Sequence, residues 1–101
     1  MTEPASGGGP FDERVARGAA VLDEAVPGWD AHIDLAYLDM RHPSDCVLGQ
    51  TFDNATFGMT MLGLDDGAPY GFELNANEGD EAWRALDDAW RSLILNRRAP
   101  G

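Results

Sequence analysis

The run Asp80-Glu81-Ala82-Trp83-Arg84-Ala85-Leu86-Asp87-Asp88-Ala89-Trp90-Arg91-Ser92-Leu93-Ile94-Leu95-Asn96-Arg97 carries the clearest period in the chain. Trp83, Leu86, Trp90 and Leu93 recur at steps of three, four and three, and Arg97 follows four residues later. That spacing puts them on one face of a helix, widened by Ala82, Ala89 and Ile94. Asp80 with Arg84, and Asp87 with Arg91, are acid-first i,i+4 pairs expected on its solvated side. Arg97 and Arg98 suit the carbonyl end of the helix dipole. A fold built around this element is mainly α.

A second helix is predicted from Phe11 to Val26. Phe11, Val15, Ala19, Leu22 and Val26 step by four, four, three and four, with Asp12 and Glu13 in the first turn and Glu13–Arg17 as an i,i+4 pair. Pro27-Gly28 then stops it. Residues 1–10, rich in Gly, Pro and Ser, read as a flexible leader with little to bury, so residues 11–98 are expected to form a single helical domain. A length of 101 residues suits one small domain.

Residues 29–75 are less regular. Trp29, Ile33, Leu35, Leu38 and Met40 supply apolar anchors without a clean period, consistent with a helical turn followed by irregular chain. Ser44-Asp45 can cap a short helix through Cys46, Val47, Leu48 and Phe52. Asp53 or Asn54 can cap another through Phe57, Met61 and Leu62, ending at Gly63. The expectation is a bundle of about four helices with an irregular central segment. The alternative is an α+β fold, with Phe57, Met59 and Met61 alternating against Tyr70, Phe72 and Leu74 in a hairpin turned at Asp66-Gly67. Leu22, Ile33, Leu48, Leu62, Leu86 and Trp90 are the expected core.

Eighteen acids stand against seven bases, a formal charge of −11. That balance excludes unaided electrostatic binding to nucleic acid or anionic lipid. No stretch approaches 18 apolar residues, and the first residues lack a signal-peptide pattern. Cys46 is the one cysteine, which excludes an internal disulfide and agrees with a reducing cytoplasm. All seven bases are Arg. None lies between Arg41 and Arg84, where the acidity concentrates; residues 80–101 carry four acids and four bases.

The strings Leu22-Asp23-Glu24-Ala25-Val26-Pro27-Gly28-Trp29, Ile33-Asp34-Leu35, Leu38-Asp39-Met40 and Cys46-Val47-Leu48-Gly49-Gln50, with Trp83-Arg84-Ala85-Leu86 and Trp90-Arg91, resemble a family of small acidic proteins of actinobacteria and their bacteriophages. The resemblance spans about residues 15–95. It implies a phage or actinobacterial origin and no particular activity.

His32, His42 and Cys46 with Asp39 or Asp45 supply zinc-ligand types, but Pro43 interrupts the turn and no Cys-x2-Cys pair exists. Cys46 as a nucleophile would need a nearby histidine, and its apolar neighbours favour core packing instead. Asp65-Asp66 and Asp87-Asp88 are adjacent in sequence and so point apart on a helix. No cofactor is expected. The leading expectation is a non-enzymatic, cytoplasmic, phage-derived protein, monomeric or weakly dimeric. It would bind a protein partner with a basic surface through Asp34, Asp39, Asp65, Asp66, Glu73 and Glu78, and touch neither membrane nor nucleic acid directly. Its sharper form is nucleic-acid mimicry aimed at a DNA-binding protein. The alternatives are a structural accessory assembling through Trp83 and Trp90, and a Cys/His thiol or metal protein.

Overall fold

In a computed structural model, residues 11–75 and 77–98 are described. The leader expected at 1–10 lies outside them. Five α-helices follow one another: α1 (Asp12–Ala25), α2 (Trp29–His32), α3 (Val47–Phe52), α4 (Ala55–Leu62) and α5 (Asp80–Arg98), with a 3-10 turn at Ala68–Tyr70 between α4 and α5. Helix occupies 62% of the described residues and no strand occurs among them, so the mainly α class holds and the hairpin alternative falls. The reason is local. Asn54 caps α4 by accepting the Thr56 and Phe57 N–H groups, and Asp66 folds back to accept the Ala68 N–H instead of turning two strands. Pro69 follows at once and has no N–H for a ladder.

α1 and α5 run close to their predicted bounds because both carry a long, clean apolar stripe. Val15, Ala19 and Leu22 of α1 and Leu86, Trp90 and Ile94 of α5 are buried together. The 3-10 turn lies along α1, and Phe72 just beyond it joins the core. At the centre, Trp90 stacks on Phe72 with ring centroids 5.7 Å apart and meets Trp29 edge-on at 5.8 Å. Both indole N–H groups find acceptors, Trp90 at the Gly71 carbonyl (2.6 Å) and Trp29 at Asp23 (2.9 Å). Among the described residues, no buried side-chain nitrogen or oxygen lacks a partner. Leu22, Ile33, Leu48, Leu86 and Trp90 are core as expected, but Leu62 is only partly buried, because α4 lies at the edge of the fold.

Two local expectations are corrected. The cap of α3 is Cys46, whose Sγ accepts the Gly49 N–H, rather than Ser44 or Asp45. The i,i+4 pairs expected on α5 give way to long-range partners: Asp80 pairs with Arg41, Asp87 accepts the Met40 N–H (2.7 Å), and Arg91 donates to the Leu35 and Leu38 carbonyls. These bonds hold the irregular 33–43 segment against α5. Arg98 extends the clasp to the Asp30 and Ile33 carbonyls.

Candidate functional site

The six acids singled out from the sequence all sit in the segments between helices, none on a helix. Five of them bond to nearby backbone. Asp34 accepts the Ala36 N–H, Asp39 the Arg41 N–H, Asp66 the Ala68 N–H and Glu73 the Gly67 N–H. Glu78 is half-buried, pairs with Arg14 at 3.2 Å and accepts the Asn75 N–H. Asp65 is exposed. The structure brings Asp66 and Glu73 together at the Gly67 turn; Asp34 lies beside Gln50, and Glu78 beside α1. A helical register that would space carboxylates like phosphates is therefore not present in this set.

The charge itself is on the surface. Among the described residues, no buried side chain is polar or charged. The arginines are mostly committed to the fold: Arg14 to Glu78, Arg17 to the Pro69 carbonyl and Glu13, and Arg41 to Asp80. Arg91 and Arg98 go to backbone carbonyls, and Arg97 to Asp23 and Asp30. The Arg97 guanidinium and, less, the Trp29 indole hold the Asp23 carboxyl below its ordinary range. Even with every guanidinium counted, the carboxylates leave the formal charge at −11.

Asp87 behaves oppositely. Burial pushes its carboxyl up; the Met40 N–H opposes that rise, while nearby Asp39 adds to it. A carboxyl with a raised folded pKa holds its proton more tightly in the folded chain. Its ionised form therefore costs stability above that pKa, and the cost vanishes as the pH falls below the unfolded value. Asp87→Asn keeps an oxygen for the Met40 N–H and removes the charge. It is expected to melt at or above the parent temperature near pH 7, the difference closing toward about pH 4. Thermal melts at the two pH values check this; a lower melting point near neutrality would show that the charge stabilises the fold.

The Cys/His chemistry finds no support in the geometry. The Cys46 thiol is buried, which raises its pKa, and its hydrogen bonds go to the Gly49 N–H and the Pro43 carbonyl, not to an imidazole. Among the described residues, no three His, Cys, Asp or Glu side chains are grouped to hold a metal ion. The Cys46–Gln50 string has structural work throughout. Val47 and Leu48 are core, and a Cβ on Gly49 would sit 2.3 Å from the Pro43 carbonyl oxygen. Gln50 clamps the Asp34 backbone by accepting its N–H and donating to its carbonyl.

The tryptophan face is also corrected. Trp90 is 0% exposed and belongs to the core, so it offers no surface; Trp83 is partly buried beneath the Arg41 guanidinium. Large exposed apolar side chains lie elsewhere: singly at Tyr37 and Leu95, and together on α4, where Phe57 is 52% and Met61 59% exposed. The sequence places these two on a short helix but carries no sign of which side of it is covered. The hollow between Met40, Pro43, Met59, Phe72 and Trp83 holds about 190 Å³. That is smaller than the roughly 300 Å³ at which small-molecule sites begin. No helix among the described residues is long and apolar enough to cross a membrane.

No family model, no curated protein and no solved structure matches the chain.

Proposed function

We propose that this chain is a small, non-enzymatic acidic protein that binds a basic protein surface in the cytoplasm of a bacterial host. The observation that carries the reading is the surplus of solvent-facing carboxylate: no charged side chain is buried among the described residues, and eighteen acids stand against seven arginines, most of them already bonded to a carboxylate or a backbone carbonyl. Such a surface steers association with a basic partner and repels nucleic acid. The resemblance to small acidic actinobacterial and actinophage proteins supports a phage-derived origin. Nucleic-acid mimicry is the narrower version, and it demands in addition that DNA compete for the same partner.

The test neutralises Asp34, Asp39 and Asp65 to Asn and Glu73 to Gln, moving the formal charge from −11 to −7. These replacements keep an oxygen for the turn hydrogen bonds, and Glu78 is spared because it pairs with Arg14. Partner capture from actinobacterial lysate is expected to weaken in the variant. Capture by the parent should also weaken as salt rises from about 50 mM to several hundred millimolar, where the Debye length falls well below 10 Å. The fold should persist, since like-charge repulsion is relieved. Capture that is indifferent to both the neutralisation and the salt would defeat the acidic-surface reading.

A further inference from the structure

We infer that the outer face of α4 is the docking site for an amphipathic helix of a partner protein, with apolar anchors at its centre and Arg or Lys on its flanks. The inference rests on the acidic partner-binding reading and locates the contact within it. α4 has the sequence Ala55-Thr56-Phe57-Gly58-Met59-Thr60-Met61-Leu62, with no charge at all. Its polar side chains are Thr56 and Thr60, exposed one turn apart, while Ala55, Met59 and Leu62 pack against the core; a helix with so wide an apolar surface is normally covered over most of it. Here only Gly58 is buried. Its backbone presses on α3, since a Cβ there would lie 2.9 Å from the Phe52 ring and 3.1 Å from the Leu48 Cβ. Phe57 and Met61, one turn apart, face water.

The patch continues into a groove of about 350 Å³ between α4 and the end of α1, lined by Met61, Leu62, Val21, Ala25 and Glu24. Its surroundings are acidic. Asp53 precedes α4, Asp65 follows it, Glu24 stands on the far bank of the groove, and all three are exposed. Glu24 lies in the last turn of α1, where the dipole disfavours negative charge. Its placement works against that helix and suits a partner instead.

An apolar centre inside a charged rim is the anatomy of a protein interface. The sign of the rim selects the occupant. A second copy of this chain would bring the same acids against themselves. Residues 2–10 contain no large apolar side chain to fill the groove. A helix with apolar residues at i, i+3, i+4 and i+7 and basic flanks satisfies both centre and rim.

The probe is a labelled synthetic helix carrying Leu at those positions and Lys and Arg on its flanks, titrated with the full chain and followed by fluorescence anisotropy. Its twin carries Glu on the flanks. The basic peptide is expected to bind the parent, and to bind Phe57→Gln/Met61→Gln at least about tenfold more weakly, a loss typical of central anchors. The acidic twin should bind the parent at least about tenfold more weakly than the basic one, because like charges meet at the rim. Backbone amide shifts in the parent should concentrate at residues 21–25 and 55–62. If the double variant melts early, Met61→Gln alone and the shift map carry the test.

Failure of the basic peptide to bind the parent, equal affinity for parent and variant, equal affinity of the two peptides, or shifts elsewhere would overturn the docking site. So would a homodimer of the parent that the double variant abolishes. Binding that survives the α4 substitutions yet is lost on neutralising Asp34, Asp39, Asp65 and Glu73 would overturn this site while leaving the acidic reading standing.

Discussion

Trp90→Ala is expected to leave the chain largely unfolded at 37 °C. Truncating a buried Trp costs about 3–5 kcal/mol. That is a large share of the roughly 5–15 kcal/mol available to a domain of this size. Three contacts raise the cost here. The ring stacks on Phe72, meets Trp29 edge-on, and donates to the Gly71 carbonyl at 2.6 Å. Removing it leaves that carbonyl without its indole donor, beside an emptied space in the centre of the core. Trp90→Phe should fall between parent and Ala, since it keeps much of the stacking and loses the hydrogen bond. Trp83→Ala should be milder than either, because that side chain is only partly buried. Urea unfolding of the three variants measures the order. Trp90→Ala melting no lower than Trp83→Ala would mean that the Trp90 ring is not the centre of the core.

That centre was half legible in the sequence. The stripe through Trp83, Leu86 and Trp90 announces α5, and the Phe11–Val26 series announces α1, because a helical period is a local signal. α4 was also marked, by capping chemistry at Asn54 and the stop at Gly63, and α3 was expected in its place although its cap is Cys46 rather than Ser44 or Asp45. The segment from Ile33 to Asp45 was not. It is shaped by bonds from far along the chain: Arg91 to the Leu35 and Leu38 carbonyls, Asp87 to the Met40 N–H, and Gln50 to Asp34. With Arg98 bonded to the Ile33 carbonyl, such contacts span up to 65 positions and leave no period to read. For the same reason Asp87 and Arg91 looked like a solvated pair when each was a clasp.

The candidate surface divides in the same way. Its acidity can be counted from the chain, and the gap in bases between Arg41 and Arg84 shows where it concentrates. What composition does not show is how many carboxylates are already used. Asp34, Asp39, Asp66 and Glu73 each hold a turn, which is a sufficient structural reason for an acid at those positions. The acids at Asp53, Asp65 and Glu24 become informative only once α4 is seen standing at the edge with Phe57 and Met61 outward.

Gly18→Ala separates helix propensity from packing, because the two predict opposite signs. Gly18 lies in the middle of α1, where glycine is about 1 kcal/mol less favourable than alanine. Propensity alone therefore makes the substitution stabilising. In the fold, a Cβ at that position would lie 2.1 Å from the Tyr70 carbonyl oxygen and 3.1 Å from both the Phe72 and Trp90 rings. The carbonyl is backbone and cannot swing aside as a side-chain end would. Moving it would drag Gly71, whose own carbonyl holds the Trp90 indole and whose Cα packs close to the Val15 backbone. Overpacking of this kind costs about 1–3 kcal/mol, and more where backbone must shift. The expected outcome is a net loss of stability, with α1 and the Ala68–Tyr70 turn forced apart. Gly79→Ala serves as the control, since nothing lies within 4 Å of a Cβ there, and it should change stability little. Urea midpoints of the two variants settle the sign: a Gly18→Ala chain more stable than its parent would mean that α1 does not lie against the Tyr70–Phe72 backbone.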